Sequence, residues 1–120
     1  MRDALLAALV AAWLAGCGLH PAPHEQRFTG ALDGCGASPA TLTRVGGDVA
    51  FAPSDGVLVL HGAVAADGAV TAALNTQPPG KPPYLLTLRG RLDAESAVLT
   101  YATPGCVAHG TLRRVHPALL

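Results

Sequence analysis

Tryptophan and methionine occur once each, as Trp13 and Met1, so everything after position 13 is built without either. The other aromatics are Phe28, Phe51, Tyr84 and Tyr101. Rings this scarce leave little to line a roomy apolar pocket, which argues against a carrier of small apolar ligands. Net charge is missing too, because eight Lys and Arg cancel eight Asp and Glu. A neutral protein has no long-range field to gather polyanions, so nucleic acid is not an expected partner. Nor is there a long hydrophobic run: the apolar or small stretch Ala4 to Ala15 falls short of the roughly 20 residues that cross a bilayer. Gly-x-Ser-x-Gly and Cys-x-x-Cys are both absent, which removes the nucleophile elbow and the usual redox spacing.

What is present begins with that short stretch. Its length suits the h-region of an export signal, with Arg2 and the terminal amine as the positive start and Asp3 against it. Leu14-Ala15-Gly16-Cys17 follows directly and resembles the lipobox of bacterial lipoproteins. The resemblance covers this motif alone. It implies that residues 1–16 are a signal peptide that is removed, and that Cys17 carries diacylglycerol through a thioether and an acylated amino terminus. Burial of hydrocarbon at about 0.8 kcal/mol per methylene then makes membrane lipid a lasting partner, since two or more chains hold a protein at a bilayer. Gly18 rather than Asp after the cysteine implies, in the enterobacterial sorting pattern, the outer membrane.

Residues from Cys17 onward make one small domain. With Cys17 committed to lipid, the remaining thiols are Cys35 and Cys106. An exported domain with few large side chains gains from a staple in an oxidising compartment, so these two are expected to pair. Residues 17–26 read as a tether, because Pro21 and Pro23 favour an extended path. They also disfavour the helix that would bring His20 and His24 together as metal ligands.

Between 27 and 116, short runs of apolar and β-branched residues alternate with turn chemistry, and no window holds a 3.6-residue period. The fold class is therefore all-β. Strands are expected at 27–32, 41–45, 48–52, 57–65, 69–75, 84–92, 97–103 and 106–115, punctuated by Asp33-Gly34, Gly46-Gly47, Asp55-Gly56 and Asp67-Gly68. Asp67-Gly68 carries the clearest hairpin signal. A bond between Cys35, just after the first strand, and Cys106, opening the last, sets those strands side by side and antiparallel. In an up-and-down meander that closure needs an even number of strands, and eight leave an interior that side chains just fill. The expected architecture is a small closed or nearly closed antiparallel barrel with a packed core, a flattened sandwich of the same strands being the alternative.

Four strands share the pattern apolar-x-Gly-x-apolar: Phe28 to Leu32, Leu60 to Val64, Leu88 to Leu92 and Ala108 to Leu112. Alternation turns Gly30, Gly62, Gly90 and Gly110 toward the core. Glycines so placed mark sharp bends or close backbone approach.

Chemistry has thin support. Asp33, Asp48, Asp55, Asp67, Asp93 and Glu95 lie in or beside turns, and Ser38, Ser54 and Ser96 lie in loops, where such side chains serve the turns. No enzyme activity, cofactor or metal is expected. His61 and His109 face outward and would make a metal or proton-sensitive pair only as neighbours. Arg27, Arg89, Arg91 and Arg113 share the outward parity and offer a possible anion-binding stripe for lipid A or peptidoglycan; the plainer reading is a solvated exterior. Pro78 to Pro83 is a stiff hairpin connection or, less simply, a recognition finger.

The expectation is a lipid-anchored envelope lipoprotein whose non-catalytic domain binds or supports another envelope component, an unknown protein or glycan. The alternatives are a proteinaceous inhibitor of lysozyme or of a periplasmic protease, and the apolar-ligand carrier. The inhibitor has a family behind it. In length, anchor and disulfide use the chain is similar to small lipid-anchored barrels such as the C-type lysozyme-inhibitor lipoproteins, but it lacks a Ser-Gly-x-x-Tyr segment. That likeness is one of architecture, which does not transmit function.

Overall fold

A computed structural model describes residues 24–116 apart from 55 and 57. Cys17, the signal segment 1–16 and most of the tether lie outside the described residues. The barrel runs β1 (Glu25–Gly30), β2 (Ala40–Val45), β3 (Asp48–Ala52), β4 (Leu60–Val64), β5 (Ala69–Thr76), β6 (Tyr84–Leu92), β7 (Ser96–Thr103) and β8 (Cys106–Arg114). Every strand pairs antiparallel with the next, and β8 returns to β1. The closed barrel of eight strands in meander order follows, and the sandwich alternative is excluded.

Local chemistry accounts for the turns. Gly46-Gly47 joins β2 to β3 as a two-residue hairpin loop flanked by the Val45 and Asp48 pair. In the β4–β5 hairpin the Gly68 amide donates to the Ala65 carbonyl at 2.9 Å, and the Asp67 carboxylate accepts the Ala69 amide at 3.1 Å. The Pro-rich segment between β5 and β6 is a hairpin connection, closed by the Lys81 amide on the Pro78 carbonyl at 3.1 Å.

Six strands differ in their bounds from the sequence expectation, β2, β5, β7 and β8 by a single residue at one end. β1 starts at Glu25 rather than Arg27 and ends at Gly30 rather than residue 32, because Glu25 and Gln26 pair with Val45 and Arg44 on β2. The tether therefore gives up its last two residues to the barrel. β4 is 60–64 rather than 57–65, since the five-residue β3 offers partners only to residues 60–63. β8 stops at Arg114.

Alternation buries one face of each strand. Phe28, Leu42, Phe51, Leu60, Leu86, Leu88, Leu99 and Leu112 are each at most 1% exposed, and no polar or charged residue is buried among the described residues. The Phe51 and Tyr101 rings pack with centroids 5.6 Å apart, a favourable tilted geometry. Burial pushes the Tyr101 phenol above its ordinary pKa.

The two barrel ends differ. One is plugged by the connection after β1, where Leu32 and Ala37 are buried, the Leu32 amide donates to the Ala37 carbonyl at 2.9 Å, and Asp33 bridges to His109. Cys35 and Cys106 are disulfide-bonded at this end with Cα atoms 5.7 Å apart. The other end is ringed by the turns at 46–47, 65–68 and 93–95.

Candidate functional site

Gly62 and Gly90 mark where neighbouring strands come closest. A Cβ at Gly62 would collide with the Thr71 carbonyl oxygen, and one at Gly90 with the Val98 carbonyl oxygen, so neighbouring backbones approach where no side chain intervenes. On the outer face above Gly62 lies an open depression of about 410 Å³ between His61 on β4 and Arg89 on β6, with Ala63, Thr71, Ala73 and Thr87 between them. Small residues leave this hollow. The register explains the placement: His61 lies opposite Ala73 and Ala73 opposite Thr87, while Ala63, Thr71 and Arg89 form the adjoining row.

The four outward arginines divide into two groups. Arg89 and Arg91 project from β6, whereas Arg27 on β1 and Arg113 on β8 flank the seam, with Arg113 opposite Thr29. Exposed Val98 on β7 faces Arg91, and Thr100 faces Arg89, so β7 stands between the groups. Neighbouring carboxylates occupy much of this charge. Arg27 lies 3.5 Å from Glu25; Arg91 lies 4.0 Å from the Asp67 carboxylate and donates to the Asp67 carbonyl at 3.1 Å. Such exposed pairs are worth at most about 1 kcal/mol each and hold geometry loosely. Among the described residues Arg89 makes no ion pair.

His61 and His109 do not meet, because β5, β6 and β7 lie between their strands. His109 instead sits opposite Thr100, with Nδ1 3.3 Å from the Thr100 hydroxyl. The metal or proton-sensitive pair is thus not formed, and no cluster of metal-ligating side chains exists among the described residues.

Sequence reasoning passed over the open end. Gln26 comes two residues before buried Phe28, and Arg44 two after buried Leu42, so both have inward parity, lie half-buried and pair across β1 and β2. They form one side of a hollow of about 330 Å³ at the barrel mouth; Ala65 to Gly68 and Leu92 to Ala94 form the other. The same period-two rule that sent four arginines outward points Arg44 inward, and that was the available signal. On the opposite lip Asp93 accepts the Glu95 and Ser96 amides, each at 2.8 Å. Those bonds, led by the Glu95 amide and aided by Arg113 and the Ser96 hydroxyl, hold its carboxyl below the ordinary pKa. The mouth therefore sets a guanidinium and an amide against carboxylates fixed by their own turns. No family model, curated protein or solved structure matches the chain, so what it does has to be argued from these surfaces.

Proposed function

We propose that this protein is a lipid-anchored lipoprotein of the bacterial cell envelope, held through Cys17 at the outer membrane and facing the periplasm, whose non-catalytic barrel binds or braces another envelope component. The observation that carries it is Leu14-Ala15-Gly16-Cys17 behind an apolar stretch too short to span a bilayer. Pairing of the other two cysteines supports the exported half of the proposal, because disulfides persist in oxidising compartments. The tether from Cys17 to residue 24, rich in proline, would hold the barrel clear of the headgroups at up to about 3.1 Å per residue.

Cells grown with radiolabelled palmitate are expected to label this polypeptide, and Cys17→Ser to abolish the label and shift the protein from the membrane to the soluble fraction. Label that survives the substitution, or a wild-type chain without label, would remove the anchor.

Arg89 beside the His61 hollow is the part of the exterior best suited to an acidic partner, since a guanidinium recognises phosphate or carboxylate by two parallel hydrogen bonds. Reversing Arg89 and Arg91 to Glu is expected to lower retention of the protein on lipid A or peptidoglycan by tenfold or more, about 1.4 kcal/mol. The comparison uses wild-type and variant chains of equal thermal stability. Unchanged retention would assign this face to solvent.

A further inference from the structure

We propose that the open barrel mouth binds a zwitterionic α-amino acid group, its carboxylate taken by Arg44 and Gln26 and its ammonium by Asp67 and Asp93. This goes beyond the proposed envelope role and is independent of the lipid anchor.

Three observations lead there. Gln26 and Arg44 are half-buried cross-strand partners at the end of an interior whose buried residues are apolar. Desolvating part of a guanidinium and an amide is unfavourable without partners, and Arg44 has one: its Nε donates to the Gly46 carbonyl at 2.8 Å. That bond fixes the side chain and leaves the terminal nitrogens to a ligand. No carboxylate lies within ion-pair distance of Arg44 among the described residues, although Asp67 and Asp93 line the same hollow.

The charges select the ligand. A simple anion would meet Arg44 but be repelled by Asp93 and by Asp67, whose charge Arg91 offsets only loosely at 4.0 Å. A simple cation would suffer the reverse. A group carrying both charges on one carbon satisfies both lips, and a hollow of about 330 Å³ accommodates it. A long apolar tail has nowhere to go, because Phe28, Leu42 and Leu112, all 0% exposed, fill the barrel behind the mouth. The carboxylates are also set in advance. Asp93 is tied to two backbone amides and Asp67 to the Ala69 amide, so little ordering remains to oppose binding.

Isothermal titration of the full-length protein in detergent, with glycine and diaminopimelate as probes and acetate and methylammonium as single-charge controls, tests this. Both zwitterions are expected to saturate the protein and neither control to do so. Arg44→Gln is expected to weaken zwitterion binding tenfold or more, as for loss of a charge-assisted hydrogen bond, with Arg44→Lys intermediate and Lys81→Gln, in the β5–β6 connection at the opposite end of the barrel, unchanged. Asp67→Asn should narrow the preference for zwitterion over acetate. Acetate binding as tightly as glycine, undiminished binding by Arg44→Gln, or no saturation by either zwitterion at about 10 mM would overturn the proposal. Should Arg44→Gln fail to fold, amide shifts of the native chain decide: glycine must move Gln26, Gly68 and Ala94, and shifts confined elsewhere would overturn it.

Discussion

Cys35→Ser with Cys106→Ser lowers the stability of the barrel by about 4 kcal/mol, the largest effect expected of any substitution that leaves the core untouched. The two cysteines are 71 positions apart. Cross-linking so long a loop removes a large share of the freedom of the unfolded chain, and in the loop-entropy treatment the loss grows with the logarithm of its length. The native side adds to this. Among the described residues the β1–β8 seam that closes the barrel pairs Phe28 with Arg114 and Thr29 with Arg113, reinforced by the Val115 amide on the Arg27 carbonyl at 2.8 Å and by the Asp33 bridge to His109, whereas β5 and β6 pair along eight residues. The disulfide clamps the weakest closure and, through Cys35, the connection whose Leu32 and Ala37 plug one end. For a domain of this size such a loss moves the melting midpoint by roughly 15–30 °C. Calorimetry of the double serine variant, and of wild-type protein with and without reductant, checks it. Exchange of the Asp33 and His109 amides should accelerate first, because their mutual hydrogen bonds lie beside the bond that is lost. A midpoint shift under about 5 °C would mean that the seam holds without the staple.

Much of this architecture could be read before any coordinates, because a small barrel states its inside and outside in every second residue. Leu86-Thr87-Leu88-Arg89-Gly90-Arg91-Leu92 carries inward and outward identities along most of β6, and the observed burial follows it. Closure was legible from Cys35 and Cys106, which force the first and last strands together. What escaped was set by partners distant in sequence. Glu25 and Gln26 are polar and follow prolines, so they read as tether; Val45 and Arg44 make them strand. Residues 58 and 59 have strand-like composition, yet the β3–β4 ladder ends at the Phe51 and Leu60 pair. The separation of His61 from His109 and the division of the arginines by β7 depend on strand order and register together. The mouth was half visible: the parity of Arg44 lies in the chain, but the carboxylates opposite it arrive from the β4–β5 and β6–β7 turns.

Glycine supplies the second large effect. Gly62→Ala and Gly90→Ala are each expected to destabilise the barrel by about 3 kcal/mol or more, the upper range for overpacking. Glycine within a strand is ordinarily a weakness, and alanine there should help by restricting the unfolded chain. Here the sign reverses. The added methyl at Gly62 would run into the Thr71 carbonyl and lie 2.5 Å from the Ala72 Cα; at Gly90 it would run into the Val98 carbonyl and lie 3.0 Å from the Leu99 Cα. Both obstacles are backbone of the neighbouring strand, so relief requires β4 to move from β5, or β6 from β7, in a closed ring where any displacement is passed to the other strands. Gly105→Ala is the internal control, since nothing lies within 4 Å of its Cβ position and its φ is not in the left-handed region; it should be neutral or raise stability by up to about 1 kcal/mol. Urea unfolding of the three variants separates the two behaviours. If Gly62→Ala and Gly90→Ala matched Gly105→Ala, strand approach would not be what fixes these glycines.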